Sequence, residues 1–124
     1  MTFVVMVVDD SATVRSQAGR ALAAAGFEVI QAVDGVDGLE KLGARTDILL
    51  ILSDVNMPRM DGLEFVEAIA RRAEPMPNVI MLTTEGRPEL IKRAKASGAK
   101  AWIIKPFKPE ALVAAARALV PATA

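Results

Sequence analysis

The stretch ILLILSDVNMPRMDG, residues 48–62, decides how the rest of the chain is read. Ile48 to Leu52 are all large and apolar, the pattern of a strand buried on both faces in a parallel sheet. Ser53-Asp54 end the run abruptly, a turn containing Pro58 follows, and Asp61-Gly62 start a helix. Open α/β sheets place their chemistry at the carboxyl ends of such strands, which singles out Asp54.

Toward the amino terminus, Phe3 to Val8 form an unbroken apolar, β-branched run that reads as strand one. Asp9-Asp10-Ser11 close it, and Ser11 or Asp10 can cap a helix from about Ala12 to Ala25. Val14, Ala18, Ala21, Leu22 and Ala25 give that helix its apolar face, and Gly26 stands at its stop. Phe27 to Ala32 supply strand two. Asp34-Gly35 open a second, short helix to about Leu42, with Asp37 in a position suited to a capping box.

Toward the carboxyl terminus, Asp61-x-x-Glu64 start helix three, with Phe65, Val66, Ile69 and Ala70 expected inward. Pro75 and Pro77 bracket the connection to strand four, Asn78 to Thr83. Helix four, from about Arg87 to Ser97, puts Leu90, Ile91 and Ala94 inside and Lys92, Arg93 and Lys95 outside, and Gly98 ends it. Ala101 to Ile104 are strand five. Lys105-Pro106-Phe107 turn the chain, and Pro109 fits the first position of a last helix reaching about Val120. Lys108 is a poor cap for it, and the residues from Pro121 on read as a frayed tail.

Strands alternate with helices five times, without repeat or linker. This predicts a parallel sheet covered on both faces by right-handed crossovers. The expected architecture is a flavodoxin-like (βα)5 doubly wound α/β sheet of order 2-1-3-4-5, in one domain spanning residues 1–124.

Composition removes several kinds of chemistry. Fifteen basic and fifteen acidic side chains cancel, so no global field favours nucleic acid or a membrane surface. Nothing resembles a signal peptide or a membrane span, and a cytoplasmic monomer is the default expectation. The chain has no Cys and no His, so thiolate and imidazole chemistry are absent. Any metal must be held by oxygen, which favours a hard cation such as Mg²⁺. Covalent chemistry must use a carboxylate, a hydroxyl or a lysine.

The polar residues at the strand ends are Asp9 and Asp10 (strand one), Asp54 (strand three), Thr83 (strand four) and Lys105 (strand five). Whole βα units separate them, so all return to one rim of the sheet. Three crowded carboxylates repel one another and call for a cation, while Lys105 and Thr83 suit a phosphoryl group. Phosphoryl transfer needs mainly positioning and charge neutralisation, and this set needs no histidine for either.

VVDDS at 7–11, DVNMPRMDG at 54–62, MLTTE at 81–85 and KPF at 105–107 resemble the receiver domain of two-component response regulators. The resemblance runs in order over essentially the whole chain, and within the family it is strongest to the stand-alone chemotaxis regulators. It implies that Asp54 accepts a phosphoryl group from a histidine kinase. Asp10 and Asp54 would bind Mg²⁺ with the backbone carbonyl of Asn56, and Asp9 would assist through water. Lys105 would pair with the phosphoryl oxygens, and the Thr83 hydroxyl would move in to bond one of them. Trp102 stands where an aromatic ring follows that threonine inward. Asn56 and Glu85 are the polar pair associated with fast self-dephosphorylation. The Lys105-Pro106 bond would be cis.

The chain stops after the fifth helix, so no DNA-binding or enzymatic effector is expected. Output by docking then falls to the face made by helix four, strand five and helix five. The partners implied are a histidine kinase, a flagellar motor switch or other docking target, and a phosphatase. Two positions depart from the family pattern: Trp102 replaces the usual Tyr or Phe, and Thr84 replaces a smaller alanine that would leave the site more open.

Blander readings stand beside these. Asp10 could only cap helix one, Asp9 could be a solvated neighbour, and Thr83 could be strand filler. Trp102 could serve packing alone, and Lys92, Arg93, Lys95 and Lys100 could be a solvated face. Asp47 and Asp61 read as structural. The rival functions are a phosphate sink or phosphorelay intermediate with no output surface, a Mg²⁺-dependent phosphohydrolase with an Asp nucleophile, and a flavin-binding module. The phosphohydrolases of that kind place D-x-D after strand one, and Asp9-Asp10-Ser11 lacks the second spaced Asp. No Ser/Thr/Gly-rich phosphate loop follows strand one to favour a flavin.

Overall fold

Five apolar runs become five strands: β1 (Val4–Val8), β2 (Glu28–Ala32), β3 (Ile48–Ser53), β4 (Asn78–Thr83) and β5 (Ala99–Ile104). Between and after them lie α1 (Ala12–Ala24), α2 (Gly35–Ala44), α3 (Gly62–Arg72), α4 (Pro88–Ala96) and α5 (Pro109–Ala118). The structure, a computed structural model, describes residues 2–72 and 76–121. All strand pairs are parallel, in the order β2-β1-β3-β4-β5 expected from the sequence.

Strand alternation divides the interior in two. Val4, Met6, Val8, Ile51, Val79 and Met81 face α2, α3 and α4. Val5, Val7, Leu50, Leu52, Ile80 and Leu82 face α1 and α5, where Ala18, Leu22, Leu112 and Ala116 meet them. Consecutive residues of a strand point to opposite faces, so a strand covered on both sides must be apolar throughout. Each side chain of this size removed from water is worth about 1.5–3 kcal/mol.

Local chemistry sets the helix ends. Ser11, not Asp10, caps α1, its Oγ accepting the Val14 N–H at 3.3 Å. Asp34 caps α2 by accepting the Asp37 N–H at 2.9 Å. Asp61 and Glu64 form a reciprocal capping box at α3, with bonds of 2.8 and 3.1 Å. Lys108 makes no capping bond, and Pro109 opens α5. Gly26 and Gly98, at φ +99° and +116°, end α1 and α4 in the left-handed conformation that glycine tolerates.

Several sequence expectations shift. In α3 the buried stripe contains Ala68, while Ala70 is exposed. Ala68 lies one turn after Phe65 and Ala70 one turn after Val66, both at margins of the apolar stripe, and only the Ala68 margin is covered. Phe27 precedes β2, buried with its N–H bonded to Leu22 at the α1 exit. Helix α2 runs on to Ala44, and β5 begins at Ala99. On α4 only Ala94 is fully buried, with Leu90 and Ile91 half-buried. Pro75 lies outside the described residues. Asp47 is exposed and ion-paired with Arg45 at 2.7 Å. Among the described residues, no helix is long and apolar enough to cross a membrane.

Candidate functional site

Register brings the rim residues together. Val8 lies opposite Ala32 on one side and Ser53 on the other, so Asp9 and Asp54 leave the sheet side by side. The backbone pairing runs one step further: Asp9 N–H bonds Ala32 at 3.1 Å, and Asp54 N–H bonds Val8 at 3.0 Å. Thr83 pairs with Ile104, and the next N–H, that of Lys105, bonds the Thr83 carbonyl at 2.9 Å.

Lys105 spans the two buried carboxylates. Its Nζ donates to Asp9 Oδ2 at 2.7 Å and to Asp54 Oδ2 at 3.0 Å. Asp9 is 2 % exposed and Asp54 8 %, so both charges would be costly without that ammonium. The other Asp9 oxygen accepts the Ser11 N–H at 2.9 Å, and Asp54 Oδ1 accepts the Val55 N–H at 2.6 Å. Burial pushes the Asp9 carboxyl above its usual value, and the bonds from Lys105 and Ser11 only partly oppose it. For Lys105, burial works against the ammonium, but the bonds to Asp9 and Asp54 prevail and its pKa rises. The peptide between Lys105 and Pro106 is cis.

Asp10 projects into solvent beside this pair, and one oxygen each from Asp9, Asp10 and Asp54 lies within 4.8 Å of the others. Three hard oxygen donors open to water on one side fit a hard cation such as Mg²⁺, which keeps several of its own waters. Asn56 is exposed in the loop after β3, with its N–H 3.4 Å from Asp54 Oδ1.

Thr83 is fully buried, and its Oγ1 accepts the Glu85 N–H at 3.2 Å. The Glu85 carboxylate pairs with Arg87 at 2.7 Å. Trp102, half-buried on β5, donates its indole N–H to the Glu85 carbonyl at 2.8 Å. A groove of about 760 Å³ opens beside Lys105, lined by Val14, Gln17, Ala21, Thr84 and Phe107. A second hollow of about 510 Å³ lies at the far end of the sheet, against Ile48 and Asn78.

Sequence reading passed over three arginines. Arg15 donates to the Asp9 carbonyl at 2.7 Å; one turn into α1, its side chain leans back toward the helix start, a signal helix geometry contains. Arg87 holds Glu85, two residues away. Arg59 grips Asp34 through Nε at 2.6 Å and Nη2 at 2.9 Å, across 25 residues, and holds its carboxyl below the usual range. No local pattern announces that pair.

The response regulator receiver domain family matches residues 5–117. The chain is 42 % identical over 105 residues to the chemotaxis protein CheY of Treponema pallidum, covering 83 % of this chain and 72 % of that one. To chemotaxis protein CheY1 of Helicobacter pylori it is 39 % identical over 110 residues, covering 86 % and 88 %. The solved structure of Vibrio cholerae CheY4 matches with a TM-score of 0.90 at 39 % identity, over 97 % of this chain and 100 % of that one. A chain from the CheX-CheY-BeF3-Mg²⁺ complex of Borrelia burgdorferi matches with a TM-score of 0.89 at 29 % identity, over 94 % and 87 %. With the sheet order, the rim of carboxylates and relatives of this similarity in agreement, the chain belongs to the response regulator receiver domain family.

Proposed function

We propose that this chain is a phosphorylation-controlled signalling protein of the CheY type, and that Asp54 is its phosphoacceptor. The observation that carries the reading is Lys105 bridging Asp9 and Asp54 beside an exposed Asp10. Mg²⁺ would be held by Asp9, Asp10, Asp54 and the Asn56 carbonyl, and when bound it supplies charge neutralisation for the phosphoryl oxygens. An Asp54 oxygen attacks the phosphorus of a kinase phosphohistidine. The P–N bond breaks, and its electron pair leaves with the imidazole nitrogen.

The chain's own residues prepare that step. The Val55 N–H holds Oδ1 and fixes the carboxylate plane. Lys105 exchanges a carboxylate for a phosphoryl oxygen, and exposed Asp10 marks the open side from which the donor approaches. Thr83 turns its hydroxyl from the Glu85 amide toward the phosphoryl group, and Trp102, tied to the Glu85 carbonyl, registers that movement. Asn56 and Glu85 govern loss of the phosphoryl group. The α4-β5-α5 face then docks a target, a flagellar motor switch protein in a chemotaxis setting, and the kinase and a phosphatase set the phosphorylated fraction.

Incubation with labelled acetyl phosphate and Mg²⁺ should give an acid-stable, base-labile phosphoprotein, and Asp54→Asn should abolish the label. Label that survives this substitution places the acceptor elsewhere. A phosphorylated form that binds no more tightly than the unmodified one to motor switch proteins points instead to a phosphate sink.

A further inference from the structure

The chain leaves β3 at Ser53 and re-enters a helix at Gly62, and three fixings hold the loop between. Gly62 N–H bonds the Val55 carbonyl at 2.7 Å, closing the loop at its base. Met60 N–H bonds the Pro58 carbonyl at 2.7 Å, a link between residues two apart that makes a γ-turn centred on Arg59. Arg59 has φ +66°, so the turn is of the strained, left-handed kind, at a residue whose Cβ disfavours it. The third fixing is the fork of Arg59 on Asp34.

That fork has a fixed end and a loose end. Asp34 is buried, caps α2, and is followed by Gly35, where a Cβ would come within 2.9 Å of Met60 Cγ. Arg59 stands more than half in water, so burial does not explain its presence in an unfavourable backbone. A bidentate guanidinium–carboxylate pair supplies direction as well as attraction. It ties an exposed loop to a rigid helix start, and the loop it ties carries Asn56 three residues before.

We infer that Arg59 is a positioning residue for the phosphoacceptor site: its fork on Asp34 sets the course of the 54–62 loop, and so the place of the Asn56 carbonyl relative to the carboxylates. The inference rests on the reading of that site as the Mg²⁺ and phosphoryl centre. Arg59 touches no reacting atom. It acts through the loop.

Two substitutions separate this role from folding. Asp34→Asn keeps a good capping side chain but removes the ionic fork. Arg59→Gly removes the guanidinium and relieves the left-handed backbone, so the stability lost with the Asp34 pair is partly offset and the variant should stay folded at the temperature of the assay. Each should weaken Mg²⁺ binding, followed by the amide resonances of residues 54–62, by about 10-fold, as loss of a ligand-orienting partner does. The double variant should be no worse than either single one. Acetyl phosphate labelling should recover at saturating Mg²⁺, and Arg59→Lys should fall between parent and Arg59→Gly.

Parental Mg²⁺ affinity in both variants overturns the inference while leaving the site reading intact. A loss confined to Asp34→Asn, with Arg59→Gly at the parent's value, also overturns it, because the effect then belongs to the α2 cap. A parent whose resonances ignore Mg²⁺ refutes the site reading itself and this inference with it.

Discussion

Replacing Gly62 with alanine should cost this domain much of its stability, because the methyl has nowhere to go. An ideal Cβ there lies 2.0 Å from the Asp54 carbonyl oxygen, 2.8 Å from Val55 Cα and 2.9 Å from Asp54 C. All three are backbone atoms, so no rotamer change relieves the clash, and the two segments must part by more than an ångström. Overpacking of this kind costs about 1–3 kcal/mol. Parting the segments also breaks the Gly62 N–H bond to Val55, worth about 1 kcal/mol more. The sum is about 2–4 kcal/mol, and at roughly 4 °C per kcal/mol for a domain of this size the melting temperature should fall by about 8–16 °C. Gly43→Ala is the control, since nothing lies within 4 Å of its Cβ and it stands inside α2. It should gain about 0.4–1 kcal/mol. Thermal unfolding by circular dichroism reads both, and Asp54 labelling at low temperature should also fall in Gly62→Ala. A Gly62→Ala protein melting within about 2 °C of the parent would refute the reasoning.

Leu112→Ala, which empties a fully buried place between α5 and the sheet, should cost about 2–5 kcal/mol in urea unfolding while leaving Asp54 labelling intact at low temperature. A loss below about 1 kcal/mol would contradict the packing described. The Arg93 fork across α3 and α4 holds the Glu67 carboxyl below its usual range, so its stabilisation is present at neutral pH and drains away as pH falls through the lowered value. Glu67 is partly exposed, which limits the effect to under about 1 kcal/mol. The urea midpoints of parent and Glu67→Gln should differ at pH 7 and converge as pH falls below the lowered carboxyl value; a pH-independent difference refutes the ion pair's contribution.

The architecture was readable because β1, β3 and β4 are short apolar runs ended by polar residues, because α1, α2 and α3 start at local caps, and because α4 and α5 open on a proline. Asp34, Asp61 and Ser11 announce themselves within four residues of what they bond. The rim was readable for a related reason: parallel strands joined by crossovers return every strand end to one side. Tertiary choice was not readable. Ala68 and Ala70 have the same side chain and each stands one turn from a buried residue, so only the packed structure decides between them. Nor does spacing show that the Trp102 indole finds the Glu85 carbonyl or that Arg59 finds Asp34, since both contacts exist only once distant segments pack.

The corners of the site are stitched to their neighbouring strands through Asp9 N–H, Asp54 N–H and Lys105 N–H. Amide protons belong to the polymer, not to any one amino acid, so exchanging Asp54 for asparagine or Lys105 for methionine changes the side chain and leaves the N–H that makes each stitch. Proline is the exception. Placed at any of these three positions it would delete the donor and unpick that corner from the strand beside it, a form of damage that no change in acidity or added metal could repair.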